Sequence, residues 1–278
     1  MIARNSRQTL GLAVYGKGGS GKSTIAASIS SCLADRGLSV MHMGCDPKAD
    51  SCRLLMDGQM VPPVMQTLVN TRLADATSFL RKSAKGIACI EAGGPEPGIG
   101  CAGRGITRTF EVLEELGISP ESFDVVVYDV LGDVVCGGFA TPMKDARAAK
   151  VLVVTSSNPM SLFAANNIMK AVRRFSRNGI RLAGIVANDL APAGSNERIR
   201  RFASLVSAEV LVHLPFDPAI PRAEQEGKTI YDYEPDGKTA NLVRKLVIRI
   251  LEGDTGVIPT PMEPEAFRKF LEETKSYA

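Results

Sequence analysis

The sequence lacks tryptophan, contains only 5% aromatic residues, and has no apolar run long enough to cross a bilayer. A core with few rings has to be filled by Val, Ile, Leu and Ala, and a membrane-spanning helix needs roughly 18 consecutive apolar residues. Residues 1–8 are polar and lack the apolar stretch of a secretory signal. We therefore expect a cytoplasmic protein with no membrane partner.

Excess charge and closely spaced cysteine pairs are also missing. The formal charge of +3 at pH 7 is too small by itself to indicate a nucleic-acid partner, and none of the six cysteines forms a C-x-x-C pair. In a reducing compartment, cysteines are expected to be buried thiols or metal ligands, not a disulfide framework. The residues concerned are Cys32, Cys45, Cys52, Cys89, Cys101 and Cys136.

Short apolar runs alternate with helical stretches along the chain. Near-continuous apolar runs bounded by Gly, Asp, Ser or Asn are typical of parallel strands that are covered on both faces. The predicted strands are 9–15, 38–43, 87–90, 123–128, 150–155, 181–187 and 209–214, and the main predicted helices between them are 24–36, 106–116, 160–176 and 197–206. Together they predict an α/β fold with a doubly wound, mostly parallel sheet.

The C-terminal part differs in composition. A predicted helix over 241–251 is followed by a proline-containing stretch and a last predicted helix over 264–275. We expect a single domain over residues 1–252, followed by a C-terminal extension with a short helix over residues 253–278.

A glycine-rich loop follows the first predicted strand and opens a helix, which is the setting of a phosphate loop. The residues expected to bind nucleotide there are Gly16, Lys17, Gly18, Gly19, Ser20, Gly21, Lys22, Ser23 and Thr24. Backbone N–H groups and the helix N-terminus attract phosphate. Lys22 is expected to reach the β- and γ-phosphates, and the Ser23 hydroxyl is the expected Mg²⁺ ligand. The alternative is a glycine-rich turn without a ligand.

The early lysine of this loop, Lys17, makes the chain resemble the deviant phosphate-loop ATPases, which include partitioning ATPases and the nitrogenase iron-protein family. In that class the lysine reaches the nucleotide of the other subunit. The resemblance therefore implies a homodimer and a catalytic role for Lys17. The alternative is a solvated surface lysine.

Two acidic segments, 44–50 and 129–133, follow the second and the fourth predicted strands. Carboxylates at strand ends suit a Mg²⁺ ion that keeps several of its waters. Asp129 is the Walker-B candidate. Either Asp46 or Asp133 is expected to orient the attacking water, and the sequence leaves the choice open. The alternative is that these aspartates cap turns or helices.

Two cysteines lie in glycine-rich segments after predicted strands, Cys101 within 100–105 and Cys136 within 135–138. A [4Fe–4S] cluster usually takes four thiolates, so a chain that supplies two needs a second copy, most simply across a two-fold axis. The alternative is that both cysteines are buried thiols.

The segments 91–105 and 129–139 closely resemble the nitrogenase iron-protein family, and the resemblance extends from about residue 12 to about residue 226. It implies a P-loop NTPase fold and an ATP-dependent reductase component that hands low-potential electrons to a separate catalytic partner. It also implies one [4Fe–4S] cluster per homodimer, ligated by Cys101 and Cys136, together with ATP or ADP and Mg²⁺.

The same resemblance assigns further positions. It makes Lys17 and Lys22 phosphate contacts, and it makes Asp46, Asp129 and Asp133 the switch carboxylates.

Contacts at the periphery of the site follow from the same family. Asn188, Pro215 and Asp217 correspond to adenine-side contacts, and Arg104 to the face on which the catalytic component docks. A ferredoxin or flavodoxin is the implied upstream electron donor. The final partner stays open among nitrogenase itself and nitrogenase-like systems that reduce chlorophyllide, nickel tetrapyrroles or methylthio-alkanes.

Two other classes fit parts of the sequence. A partitioning or membrane-placement ATPase without a cluster would use the same dimer switch, and the arginines between 173 and 201 would then contact phosphates. An iron–sulfur assembly scaffold also bridges a cluster between subunits, but such proteins place a C-x-x-C pair late in the chain, and no cysteine follows Cys136.

Overall fold

The computed structural model describes residues 9–70, 75–94, 102–132, 140–144, 147–191, 197–253 and 256–275. Within these ranges eight strands form one sheet. They are β1 (Leu10–Tyr15), β2 (Val40–Cys45), β3 (Arg81–Lys82), β4 (Ala88–Glu91), β5 (Val125–Val130), β6 (Lys150–Thr155), β7 (Arg181–Asn188) and β8 (Val210–Leu214). Their order is β3-β4-β2-β5-β1-β6-β7-β8, and all neighbours are parallel except β3 and β4.

Helices cover both faces of this sheet. They are α1 (Lys22–Asp35), α2 (Val64–Asn70), α3 (Ala76–Phe79), α4 (Ala102–Glu115), α5 (Thr141–Lys144), α6 (Pro159–Phe175), α7 (Glu197–Leu205), α8 (Ala219–Gln225), α9 (Ile230–Tyr233), α10 (Lys238–Glu252) and α11 (Pro264–Glu273). None of the helices within the described ranges is long and apolar enough to cross a membrane.

Alternate residues of the central strand β1 point into two separate cores. Leu12 and Val14 lie in the core that α1 and α10 cover, whereas Ala13 and Tyr15 lie in the core on the other face, which receives α4, α6 and α7. A strand buried on both faces needs apolar residues at every position, which explains the continuous apolar runs of the sequence. The doubly wound α/β fold is therefore confirmed.

The strand order places a ligand crevice between β1 and β5. The chain leaves β1 towards β2 on one side of the sheet and passes from β5 to β6 on the other side. In open α/β sheets, ligands bind beyond the carboxyl ends of the strands at such a reversal. The phosphate loop follows β1, and Asp129 lies near the end of β5, so both are at the crevice.

All seven predicted strands are present, with ends shifted by one or two residues in most cases. The eighth, β3, consists of Arg81 and Lys82, and its polar residues left no apolar pattern to detect. The last helix packs onto the domain, because Phe267 contacts Phe163 of α6 and Phe270 contacts Phe202 of α7. The proposed domain boundary at 252/253 stays a prediction.

Candidate functional site

The loop between β1 and α1 has the backbone that its glycines predict. Gly19 and Gly21 adopt φ angles of 80° and 81°, in the left-handed region where other residues are strained. A side chain at Gly16 would collide with the carbonyl oxygen of Val154 in β6. The glycines therefore let the loop turn tightly against the sheet and start α1 at Lys22.

The second acidic segment begins in direct contact with this loop. A Cβ atom added to Gly132, which follows β5, would collide with the carbonyl oxygen of Gly16. Only a glycine allows the two backbones to approach so closely. The phosphate loop and the chain after β5 are thus packed backbone against backbone.

A buried ion pair lies under the loop. The Lys22 ammonium donates a hydrogen bond to Oδ1 of Asp129 at 2.5 Å, and the exposed side-chain fractions are 7% and 0%. Burial alone raises the pKa of Asp129, but Lys22 and hydrogen bonds from Ser23 and Ser51 outweigh it and hold that pKa below its usual value. Asp129 is therefore an ionised carboxylate. It lies within β5, one residue before the end of the strand, whereas the sequence placed it after the strand.

Three buried polar residues, which the sequence did not predict as part of the site, form a series of hydrogen bonds that starts at this carboxylate. Ser51 donates to Oδ2 of Asp129 at 2.5 Å, His42 Nε2 lies 2.9 Å from Ser51 Oγ, and Ser30 Oγ lies 2.8 Å from His42 Nδ1. Burial lowers the pKa of His42 to about 4, so its imidazole is neutral. The available signal was a polar residue at a position where strand β2 is otherwise apolar.

The first acidic segment faces the same crevice. Asp46 is half-buried, lines the cavity, and accepts a hydrogen bond from the Lys48 backbone N–H at 3.0 Å. It therefore caps a turn, as the alternative interpretation held, while its carboxylate stays at the edge of the cavity. Asp50 is exposed and also lines the cavity. Asp133, the rival candidate for orienting water, lies outside the described residues.

The crevice holds a cavity of about 440 Å³ that runs from the loop to α8 and α10. Lys17, Lys22, Ser23 and Thr24 line the loop end. The size suits a small-molecule ligand, and the donors at the loop end suit phosphates with Mg²⁺. The residues present therefore fit a magnesium nucleotide. The Thr24 hydroxyl is already engaged, because it donates to Glu224 at 2.5 Å.

Two of the three predicted adenine-side residues line the cavity. Asn188 and Asp217 line the cavity, and Pro215 adjoins the lining residue Phe216. Asn188 donates from Nδ2 to the Ser20 carbonyl at 2.8 Å and so ties β7 to the phosphate loop. Asp217 accepts from Thr239 at 2.5 Å, which links the chain after β8 to α10. The adenine contacts themselves stay predictions.

A further missed residue is Glu91, at the end of β4. It is fully buried, its Oε1 accepts from the Cys52 backbone N–H at 2.6 Å, and its Oε2 has no hydrogen-bond partner. Burial raises the pKa of Glu91 to about 8. A side chain at Gly44, its neighbour in β2, would collide with this oxygen. Glu91 therefore packs directly beneath the segment that carries Asp46.

The two predicted cluster ligands, Cys101 and Cys136, lie outside the described residues, and their role stays a prediction. The other four cysteines are free and buried, as expected for structural thiols: Cys32, Cys45, Cys52 and Cys89. Arg104, the predicted docking residue, is exposed on α4.

The parallel sheet, the glycine-rich loop and the buried Lys22–Asp129 pair define a P-loop nucleotide-binding protein. Residues 10–277 match the family of 4Fe-4S iron sulfur cluster binding proteins, NifH/frxC family, and the chain belongs to that family. This confirms the predicted family and its cofactors, a [4Fe–4S] cluster and a magnesium nucleotide. It also makes the chain a member of a family of ATP-dependent electron-transfer reductases.

Curated relatives agree over nearly the whole chain. The nitrogenase iron protein of Methanospirillum hungatei is 43% identical over 263 residues, which cover 93% of each chain. Nitrogenase iron protein 2 of Paenibacillus durus is 39% identical over 261 residues, covering 93% of this chain and 89% of the relative.

Similar solved structures are more distant in sequence. The septum site-determining protein MinD with Mg-ADP from Pyrococcus horikoshii gives a TM-score of 0.66 at 20% identity, covering 89% of this chain and 98% of the other. A ParA family ATPase from Chlorobium tepidum gives 0.65 at 17% identity, covering 88% and 99%. These likenesses confirm the fold.

Proposed function

We propose that this protein is the ATP-dependent reductase component of a nitrogenase-like two-component system. It acts as a homodimer and delivers low-potential electrons to a separate catalytic partner. The observation that carries the proposal is the direct contact between the nucleotide loop and the chain after β5, which leads to Cys136. The family match and the relatives named nitrogenase iron protein support it.

The nucleotide is held by groups at the loop end of the cavity. Lys22 binds the β- and γ-phosphates, and Ser23 binds Mg²⁺ beside Asp129. Lys22 already lies 3.1 Å from the Ser23 hydroxyl, so the two groups share one point of the cavity. Lys17, which is half-buried at the cavity rim, reaches the nucleotide of the second subunit. Asp46 or Asp133 orients the attacking water.

The cluster and the nucleotide have different roles. When bound, the [4Fe–4S] cluster supplies the electron, and the hydrolysis of ATP supplies the free energy. Cys101 and Cys136 of each chain hold the cluster. Cys136 follows Asp129 by seven positions, which is about 25 Å at full extension. Because Gly132 between them packs on the phosphate loop, a change at the nucleotide reaches the chain four positions before Cys136.

The catalytic partner docks on the face that carries Arg104. This arginine is exposed on α4, while Arg108, one turn further, is held by Glu111 at 3.0 Å and Glu115 at 2.7 Å. Arg104 therefore offers a cation to an acidic surface of the partner. A ferredoxin or flavodoxin reduces the protein between turnovers.

Iron content of anaerobically purified protein tests the proposal. We expect Cys101→Ala and Cys136→Ala each to lose nearly all bound iron and the electron paramagnetic resonance signal of the reduced cluster, because four thiolates hold a [4Fe–4S] cluster. Cys32→Ala is the matched control, since Cys32 is buried within α1; it should keep its iron. A wild-type dimer without iron would favour the partitioning or membrane-placement ATPase instead.

A further inference from the structure

A hydrogen-bonded chain of side chains runs through the interior from α1 to the carboxylate under the phosphate loop. It passes from Ser30 of α1 to His42 of β2, to Ser51 after β2 and to Asp129 of β5, with successive distances of 2.8, 2.9 and 2.5 Å. All four residues are at most 1% exposed. A buried polar chain of this kind is stabilising only when each member has a partner.

The chemistry of the groups fixes the direction of this chain. The Asp129 carboxylate pairs with the Lys22 ammonium and accepts hydrogen bonds, so Ser51 donates its single hydroxyl proton to Oδ2 of that carboxylate. His42 must then carry a proton on Nε2 and donate it to Ser51. Nδ1 of the neutral imidazole is left as an acceptor, which takes the hydroxyl proton of Ser30. Every donor along the chain thus points towards Asp129.

The two oxygens of Asp129 are held by groups with different tasks. Lys22 holds Oδ1, but the same ammonium has to turn to the phosphates when a nucleotide binds. Ser51 holds Oδ2 and is not among the residues that line the cavity. Ser51 itself lies in the turn region after β2, whereas His42 is fixed inside the sheet, paired with Cys89 of β4 and Val127 of β5.

We propose that His42 is a positioning residue, which acts through Ser51 to hold the Asp129 carboxylate in the orientation that a Mg²⁺–nucleotide needs. This role rests on the proposed function only in that ATP and Mg²⁺ are the ligands of the cavity. The imidazole does not touch the nucleotide. It anchors the Ser51 hydroxyl to the rigid sheet while Lys22 changes partner.

The direction of the hydrogen bonds between Ser30, His42, Ser51 and Asp129 can be measured in the unmodified protein without nucleotide. The sequence has two histidines, so the ¹⁵N spectrum of histidine-labelled protein contains only two imidazoles. His213 is partly exposed and contacts Asp189, whereas His42 is buried. We expect His42 to give the shifts of a neutral Nε2–H tautomer. A neutral Nδ1–H tautomer would reverse the hydrogen bonds and overturn the proposal.

Three substitutions separate positioning from packing. The amide nitrogen of His42→Gln reaches about as far as Nε2 and keeps a donor for Ser51, His42→Asn keeps a polar group only near Nδ1, and His42→Leu keeps neither. The measurement is ATP affinity by calorimetry with and without Mg²⁺. We expect Mg²⁺ to strengthen ATP binding about tenfold less in the Asn and Leu variants than in wild type, which corresponds to one hydrogen bond of roughly 1.4 kcal/mol. In the Gln variant, Mg²⁺ should strengthen ATP binding nearly as much as in wild type.

A double substitution checks that His42 acts through Ser51. In a Ser51→Ala background, His42→Leu should not reduce the Mg²⁺ effect further, because the group it positions is gone. An additive loss would contradict the proposal, as would equal losses in the Gln, Asn and Leu variants. Should those variants fail to fold, Ser30→Ala removes the far end of the chain and should give a smaller loss of the same kind; no loss at all would contradict the proposal.

The two proposals fail in different ways. If wild-type protein bound no ATP, the proposed function would be wrong, whatever the tautomer of His42. If wild-type protein bound ATP with a clear gain from Mg²⁺ and all His42 variants kept that gain, only the positioning role would be wrong.

Discussion

Two lysines, at opposite ends of the parallel strands, pair with aspartates in different surroundings. We call the end where the strands finish the carboxyl edge and the end where they begin the amino edge. At the carboxyl edge, Lys22 and Asp129 are 7% and 0% exposed. At the amino edge, Lys85 lies before β4 and pairs with Asp35 at 2.7 Å and Asp232 at 2.6 Å, with a third of the lysine side chain exposed. Water competes for the second contact and not for the first.

The two surroundings determine what each contact can do. A buried charge that loses its partner stays desolvated. Lys22 therefore needs either Asp129 or another anion, such as a phosphate, beside it. An exposed pair is screened and replaced by water at little cost. The carboxyl edge is therefore sensitive to the ligand, and the amino edge serves as a fixed tie between α1, α9 and the β3–β4 hairpin.

Removing Lys22 should have the largest effect. Lys22→Ala leaves the buried Asp129 with only Ser51 and Ser23, and we expect the free energy of unfolding to fall by about 3 kcal/mol. ATP binding should be lost, because the phosphate contact is gone, while the iron content is unchanged. Chemical denaturation, calorimetry with ATP and iron analysis measure these effects. If Lys22→Ala bound ATP as tightly as wild type, the phosphate-loop assignment would be wrong.

The buried glutamate beside this pair should have an effect that depends on pH. The pKa of Glu91 is raised to about 8 in the folded protein, compared with about 4.3 in an unfolded chain. Between these values the unfolded state binds fewer protons, so stability should fall as pH rises from about 4.3 to 8 and level off above that. Glu91→Gln should remove this loss.

Denaturation of wild type and Glu91→Gln at several pH values between 5 and 8 measures how steeply the free energy of unfolding falls with pH. Glu114→Gln on the exposed face of α4 is a matched control that should keep the wild-type slope. An unchanged slope in Glu91→Gln would show that Glu91 does not take up a proton in the folded protein. Burial at the carboxyl edge would then not raise the pKa of Glu91 enough to affect stability in this pH range.

Removing Lys85 should have the smallest effect. Lys85→Met breaks both exposed pairs, and we expect the free energy of unfolding to fall by less than about 1 kcal/mol. Its stem can still pack near Tyr231, whose ring lies 5.2 Å from the ammonium. ATP affinity should stay within twofold of wild type, as measured by calorimetry. A loss as large as that of Lys22→Ala would remove the contrast between the two edges.

Most of the sheet could be predicted because a strand buried on both faces appears in the sequence as a continuous apolar run. Each run such as 150–155 is apolar at nearly every position, and this pattern needs no knowledge of its neighbours. The polar strand β3 could not be found in this way, because Arg81 and Lys82 pair at an edge. The short helices α8 and α9 were missed since four to seven residues carry little periodicity.

The site was predictable where a motif is contiguous and not where distant strands create it. The phosphate loop is one segment, and the structure brings its Lys22 to Asp129, as the motif requires. His42 and Glu91 acquire their surroundings only because β2 lies between β4 and β5. No local pattern contains that strand order, so a polar residue within an apolar run was the single available sign.

The contact of Gly132 with Gly16 limits how this protein can change shape. Two backbones that touch without an intervening side chain have no compressible layer between them. Gly132 therefore cannot move towards the phosphate loop unless Gly16 moves as well. A nucleotide that displaces the loop at Gly16 thus acts directly on the first residues after β5, with no side chain between them.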